Sequence, residues 1–560
     1  MRYIACKTEM GIAMLLKKNA TEQKIRGAYY TPKKLTDFII KLFAGNIAIK
    51  NILEPSCGDG AFIESIIEHF DMDKVNRIKA VEIVNEEAYK VEERTREYTN
   101  INVVNDDFIV FYEQVKNNEK FDLIVGNPPY VRYQYLSEKQ RELQNNILKS
   151  NGMKANKLIN VWVSFLVACV HLLKNDGKVA FVLPAELLQV VYAEDLRLYL
   201  SNNLSKITLI TFAELVFDGI EQEVVLFIGE KSPENKDGII GIKQCSNLDD
   251  LENLNFNEIQ YKHINHVKEK WTKYFTNEFE LDIINEIKDN KKFMRFDEIA
   301  LINVGVTTGD NKFFSVDQDT INEYKLHDVI TPLIGRSAHA QGVYFTETDW
   351  KNNIQKNKKA NLINFSHVIE NQYKEGHKRY IRLGEQQEVH KGYKCSIRDK
   401  WYIVPSIWVP DAFFLRRNDV YPKFVLNKCG AVSTDTMHRI KFNNGIDHSK
   451  ALLSYYNSVS FAFTEICGRS YGGGVLEILP REVGNIILPD LSNFNTERAK
   501  VLLELVDSIV RRKGNIEEAL DIIDEEILVR HIGLSKKTCD EFRVIWKKLM
   551  ARRKGRGNKK

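Results

Sequence analysis

Short apolar runs alternating with helix-length amphipathic stretches fill the first half of the chain, and this alternation constrains the fold more than any other feature. The runs are Asn51–Glu54, Arg77–Glu82, Ile101–Val104, Phe121–Val125, Lys178–Leu183, Lys206–Phe212 and Glu223–Gly229. Among them lie Leu35–Phe43, Ala61–His69, Glu86–Tyr98 and Leu158–Leu173, with apolar residues at helical spacing. The pattern predicts an α/β domain with a mostly parallel sheet, because parallel neighbours need a crossover and a helix is the usual one. Such a sheet binds ligands beyond the C-terminal ends of its strands.

Polar elements stand at four successive strand ends. The first strand runs into Pro55-Ser56-Cys57-Gly58-Asp59-Gly60-Ala61-Phe62. Glycines in such a turn let a ligand approach the backbone and leave helix N-terminal N–H groups free. Glu82 ends the second strand, where an acid can accept from both hydroxyls of a ribose. Asp107-Phe108 follows the third strand, where a carboxylate can accept from an adenine amino group and a ring can pack on the base. Asn127-Pro128-Pro129-Tyr130 ends the fourth. Alone, the glycine pair is a tight turn and each acid a strand-end cap. Together they form one line along a sheet edge.

The fourth element is the most specific. The prolines fix φ and remove donors, so the corner is stiff. The Asn127 side chain and a main-chain carbonyl can both accept from one NH2 group, and Tyr130 offers a flat face for a planar partner. The corner is suited to presenting an amino nitrogen to an electrophile.

Glu54-Pro-Ser-Cys-Gly-Asp-Gly-Ala-Phe62 and Gly126-Asn-Pro-Pro-Tyr130 resemble the S-adenosylmethionine and catalytic motifs of the amino-methylating DNA methyltransferases. Gly27-Ala-Tyr-Tyr-Thr-Pro32 resembles a further N-terminal motif of that family. Their order, and the extended string Asn127-Pro-Pro-Tyr-Val-Arg132, resemble the γ class of TaqI-like type II adenine-N6 methylases of restriction-modification systems. The likeness covers about the first 230 residues well. Val304–Phe314 and Gly468–Leu476 look like pieces of that family's specificity domain.

The resemblance implies a Rossmann-like S-adenosylmethionine-dependent sheet followed by a mixed α/β DNA-recognition domain and terminal helices. Tyr30 and Thr31 would touch the methionine end of the cofactor. Glu54, Pro55, Cys57, Gly58 and Gly60 would line its methionyl side. Glu82 would hold the ribose, Ile83 would pack on the adenine, and Asp107 with Phe108 would read it. Asn127, Pro128, Pro129 and Tyr130 would grip the target adenine. Phe217 would hold the flipped base, with Phe212 as competitor and a core aromatic as the plainer reading. No metal is implied.

At 560 residues the chain exceeds one ordinary core. The expected division is a catalytic domain over 1–235, closed by the polar turn Glu230–Gly238, a target-recognition domain over 236–490, and a helical segment over 491–560. In that last segment Ala499–Val510 and Ile516–Val529 show helical spacing. Thr308, Lys312, Arg469, Gly472 and Gly473 are candidate DNA contacts, and Arg336, Arg416, Arg417 and Lys428 are weaker ones. The last stretch, Lys547–Lys560, carries eight basic residues and no acid, and reads as a solvated, frayed tail, with a phosphate-contacting arm as the less common alternative. Apolar residues make up 44% and charged ones 28%, the balance of a soluble globular protein, with a net charge of only +4. Eight scattered cysteines without a C-x-x-C pair fit a reducing cytosol and point away from a zinc site, and the resemblance implies that this cytoplasm is bacterial. No run is long enough for a membrane span and no signal peptide is read at Met1–Leu16. Expected partners are double-stranded DNA and a separate cognate endonuclease, with the enzyme acting as a monomer on the nucleoid. RNA adenine and protein glutamine amides remain alternative acceptors, because the same corner serves both.

Overall fold

The computed structural model describes residues 30–154, 159–217, 222–233, 238–264, 270–471 and 474–555. The chain divides into two compact units, residues 1–278 and 279–560.

The first unit is built on one sheet of nine strands among the described residues, in the order β3-β2-β1-β4-β5-β7-β6-β8-β9. The strands are β1 (Asn51–Glu54), β2 (Arg77–Glu82), β3 (Ile101–Asn105), β4 (Phe121–Gly126), β5 (Leu173–Pro184), β6 (Lys206–Phe212), β7 (Val224–Glu230), β8 (Ile239–Cys245) and β9 (Tyr261–His263). The helices are α1 (Lys33–Ala44), α2 (Ala61–His69), α3 (Asn85–Arg94), α4 (Phe108–Val115), α5 (Glu138–Ser150), α6 (Val161–Leu172) and α7 (Glu194–Asn203). Strands β1 to β5 are parallel, and β7 enters antiparallel between β5 and β6. The order turns back at β1/β4, which puts a crevice where the chain leaves those two strands.

Amphipathic spacing explains which helix faces the sheet. Leu35, Ile39, Ile40 and Phe43 of α1 and Phe62, Ile63 and Ile66 of α2 are buried on one face of the sheet with Ile52, Leu123 and Val125. Each such side chain contributes about 1.5–3 kcal/mol on full burial. Helix α6 is buried nearly all round, which explains why its sequence lacks a polar face.

The sheet does not stop where the sequence reading ends the catalytic domain. Beyond Gly238, β8 pairs in parallel with β6 from Lys206↔Ile239 to Phe212↔Cys245, and β9 adds antiparallel to β8. The polar stretch near residue 235 is thus a connection inside one sheet, and the compact unit continues to Glu278. Residues 234–237 of that stretch lie outside the described residues.

The second unit carries several small sheets. The largest joins Ala300–Val304, Met437–Phe442, Ala412–Leu415, Phe424–Asn427 and Tyr344–Phe345. Its core is aromatic: Phe296, Phe414, Phe424 and Tyr455 meet with ring centroids 5.2–6.0 Å apart. The terminal helices belong to this same unit and form no separate domain. They follow α8 (Ser458–Cys467) and comprise α9 (Thr496–Arg511), α10 (Ile516–Ile523) and α11 (Lys536–Gly555). The chain continues from α10 through wider π-type turns at Asp524–Ile532.

Up to Gly555 the basic stretch is the end of helix α11 and is tied into the unit rather than a solvated tail; residues 556–560 of that reading lie outside the described residues. Lys548 pairs with Glu280 at 2.7 Å, and Lys547 pairs with Glu517. Arg553 is buried, forks onto Glu465 at 2.8–3.1 Å and donates to the Gly474 carbonyl at 2.6 Å. Burial outweighs the guanidinium beside it and lifts the Glu465 carboxyl above its ordinary range. Truncating one partner would strand the other as a buried charge. Arg553→Ala is therefore expected to cost about 3–5 kcal/mol in urea unfolding of the second unit. A shift within ~0.5 kcal/mol, the range of an ordinary surface change, would contradict this anchoring role. Among the described residues, no helix is long and apolar enough to cross a membrane.

Candidate active site

A cavity of about 480 Å³ opens at the C-terminal ends of β1 to β4. Its wall holds Tyr30, Thr31, Glu54, Pro55, Cys57, Gly58, Glu82, Ile83, Asp107, Phe108, Asn127 and Pro129, so twelve of the expected site residues meet in one place. Gly60, Pro128 and Tyr130 belong to the same turns but are not among the residues that line it.

The turn after β1 needs its glycines. Gly58 and Gly60 have φ of +52° and +86°, the left-handed region that L side chains avoid. A Cβ on Gly60 would come within 2.9 Å of Val91 Cγ2 on α3. Glu82 fixes the turn from the next strand. Its Oε2 accepts from Gly58 N at 2.9 Å and its Oε1 from Val84 N at 2.8 Å. Cys57 is held by its own N–H, which donates to Val81 O at 2.9 Å. Burial pushes the Cys57 thiol up, which makes it an inert wall residue.

Glu54 is the most unusual group in the wall. It is 1% exposed, and its Oε2 has no hydrogen-bond partner. Burial, and then the charges of Asp59 and Glu82, raise its carboxyl well above the usual range. A buried acceptor left open costs about 1–3 kcal/mol, so a site of this kind calls for a donor from a ligand.

At the third strand end, Asp107 caps α4. Its Oδ1 accepts from Ile109 N and its Oδ2 from Gln140 Nε2, both at 2.9 Å. Phe108 packs on Phe165 of α6 with centroids 4.7 Å apart. At the fourth, Asn127 Nδ2 donates to Thr31 Oγ1 at 3.3 Å, and the Asn127 carbonyl accepts from Ser56 Oγ at 3.2 Å. The Tyr130 hydroxyl donates to Val182 O on β5 at 3.0 Å, so the corner is pinned at both ends.

The lining is one-sided in charge. Glu54, Asp59, Glu82, Glu87, Asp106 and Asp107 contribute carboxyl groups, and no Lys, Arg or His lines the cavity among the described residues. A dinucleotide pyrophosphate would be repelled here. A ligand with an ammonium and a sulfonium would be attracted. Glu54 with its open oxygen, the glycine turn and the acidic wall fit S-adenosylmethionine. Sequence reasoning passed over Asp59, Glu87, Asp106, Gln140, Gln144 and Phe165. Asp59 lies inside the quoted glycine motif. Phe165 lies on a helix so uniformly apolar that nothing marked it out.

Other expected site residues are placed elsewhere. Phe217 is 4% exposed and packs with Val216 and Phe212 in the sheet's apolar core, away from the cavity wall. The ring thus stands in the core position of the plainer of its two readings. Residues 218–221 beside it lie outside the described residues. In the second unit, Thr308 is 2% exposed and donates to Asn311 Oδ1 at 2.6 Å. Arg469 is bound to Glu482 at 2.7 Å. Arg416 and Arg417 both reach Glu477, at 3.1 and 3.3 Å. Thr308 and Arg469 are thereby tied into the fold, whereas Arg417 pairs with Glu477 while its side chain stays 55% exposed. Lys312, Arg336 and Lys428 are exposed, and Gly472 and Gly473 lie outside the described residues.

Known proteins share both halves of the chain. Residues 17–217 match the family model of the Eco57I restriction-modification methylase, and residues 268–528 match that of the C-terminal domain of the type II methyltransferase M.Eco57I. The type II methyltransferase M.AccI of Acinetobacter calcoaceticus is 24% identical over 526 residues, 89% of this chain and 92% of its own. M.HincII of Haemophilus influenzae is 33% identical over 236 residues, 41% of this chain and 42% of its own. Among solved structures, the DrdV–DNA complex superposes with a TM-score of 0.50 at 13% identity, covering 87% of this chain and 57% of that one, a likeness of fold. With two family models of one enzyme type that together cover most of the chain and a relative aligned along nearly its whole length, the chain belongs to the type II restriction-modification DNA methyltransferases.

Proposed function

We propose that the protein transfers a methyl group to the N6 amino group of an adenine rotated out of duplex DNA, at one specific sequence. In the cell this would shield bacterial DNA from a separate cognate endonuclease. The observation that carries the reading is contiguity: Asn127 and Pro129 of the stiff corner line the same acidic cavity as Glu54, Glu82 and Asp107.

The chemistry follows from the nitrogen. An adenine amino group is a poor nucleophile because its lone pair is delocalised into the ring. S-adenosylmethionine supplies a methyl carbon already activated on a cationic sulfur, so the protein's task is positioning. The Asn127 side-chain oxygen and the Pro128 carbonyl would accept the two amino hydrogens. That favours a tetrahedral nitrogen with its lone pair directed along the line of transfer. The bond from Asn127 Nδ2 to Thr31 holds the amide in this sense, and the Ser56 and Val182 contacts keep the corner from yielding. After transfer the cationic nitrogen is strongly acidic and loses its proton without a dedicated base.

On the cofactor side, Tyr30, Thr31, Glu54 and the glycine turn would hold the methionyl end. Glu82 would take the ribose. Ile83, 59% exposed over the cavity, would cover the adenine, with Asp107 at its edge and Phe108 behind it. Unstacking the target base costs a few kcal/mol, about what an aromatic platform such as Tyr130 returns. Lys312, Arg336 and Lys428 would contact phosphates.

The acceptor separates this reading from RNA-adenine and glutamine-amide methylation. Modification-sensitive sequencing of DNA from cells expressing the gene should show N6-methyladenine in a single motif. An unmodified genome, with label on RNA or protein, would refute the proposal.

A further inference from the structure

We propose that Gln144 on α5 is a specificity residue for the cofactor, accepting the second hydrogen of its adenine amino group opposite Asp107. This rests on the reading that the cavity holds S-adenosylmethionine.

Helix α5 begins just after the catalytic corner. Ser137 caps it, and Gln140 closes a reciprocal capping box, its Oε1 accepting from Ser137 N at 3.1 Å. Gln140 is thereby held rigid, and its Nε2 reaches Asp107 Oδ2 at 2.9 Å. With Ile109 N on the other oxygen, the Asp107 carboxylate is oriented by one donor on each oxygen and keeps lone pairs for a further donor. The face of α5 that carries Gln140 is thus fixed against the adenine-reading end of the cavity.

Gln144 lies one turn further along that face, and both glutamines line the cavity. Gln144 is 2% exposed. Its Nε2 donates to the Ile159 carbonyl at 3.3 Å. That carbonyl decides which way the amide points, because the flipped arrangement would set two oxygens against each other. The Oε1 then faces away from Ile159 and has no hydrogen-bond partner. Buried amide oxygens are normally satisfied, and an open one in a ligand cavity marks the place of a missing donor. The ligand group that offers two hydrogens near Asp107 is the adenine amino group. Asp107 and Gln144 would each accept one. A base carrying a carbonyl in that position would place oxygen against both acceptors and be rejected, as happens when a site built for a donor meets an analogue without it.

The test compares two ligands on the full-length protein by calorimetry. The first is S-adenosylhomocysteine. The second is its hypoxanthine counterpart, in which a carbonyl replaces the amino group. In Gln144→Leu, S-adenosylhomocysteine affinity should fall roughly tenfold. The hypoxanthine ligand should bind no worse than to wild type, so discrimination narrows. Gln144→Met, which keeps volume, should behave alike and covers the case in which the leucine variant fails to fold. Unchanged discrimination in a folded variant, or equal losses on both ligands, would overturn the inference while leaving the cofactor reading intact. Failure of wild type to bind S-adenosylhomocysteine at all would overturn both.

Discussion

Asn127→Ala is expected to abolish methyl transfer while leaving cofactor affinity within a few-fold of wild type. The alanine removes one of the two acceptors that make the amino nitrogen nucleophilic. It also removes the contact with Thr31, but leaves Glu54, Glu82 and Asp107 in place. Single preorganised polar groups of this kind are worth about 10²–10³ in rate, and the lone pair cannot be aimed with one acceptor alone. Turnover should therefore fall by at least ~10³ in a radiolabelled methyl assay. Calorimetric binding of S-adenosylhomocysteine should persist. Turnover within tenfold of wild type would show that the corner does not grip the reacting nitrogen.

The second large effect concerns Glu54. Burial raises its carboxyl in the folded protein, so the folded state holds a proton to higher pH than the unfolded state does. The sign follows: stability falls as pH rises from the ordinary carboxylate range towards the raised folded value, and the penalty persists above it. Glu54→Gln removes that penalty and should raise the melting temperature of the cofactor-free protein at neutral and alkaline pH, with little effect in acid. The same change should weaken S-adenosylmethionine binding by about 10- to 100-fold, since a charged partner for the ammonium is lost. In the wild type, affinity should increase with pH and binding should release a proton. Calorimetry in two buffers of different ionisation enthalpy measures that release. A pH-independent affinity in the wild type, or a variant that binds as tightly, would remove Glu54 from the cofactor's charged end.

Most of the first unit was legible because its signals are local. Strands β1, β2 and β6 and helix α2 fall where apolar spacing and the flanking glycines put them. Most of the cavity residues could be named because they lie at a strand's C-terminal end or within four positions of it, and a parallel sheet aligns such ends along one edge; Tyr30 and Thr31 precede the first strand and were marked by their motif alone. The misreadings came from contacts distant in sequence. Gly238 looked like a domain boundary because nothing local says that Ile239–Cys245 will pair with Lys206–Phe212. The basic end of α11 looked solvated because its counter-charges sit at Glu280, Glu465 and Glu517. The partners of Arg469 and Arg416, Glu482 and Glu477, were hidden for the same reason. Phe217 shows the converse limit: an aromatic in a turn has the same local sequence whether it stands free or packs inside. Gln140 and Gln144 were passed over because polar residues on an amphipathic helix ordinarily face water.

The central claim is tested most directly by locating the methyl group. Purified protein is incubated with duplex DNA and S-adenosylmethionine labelled in the methyl carbon, and the DNA is digested to nucleosides for mass spectrometry. The account predicts label in N6-methyldeoxyadenosine. Label in a methylated cytosine, or in protein or RNA with the deoxyadenosine unmodified, would contradict it.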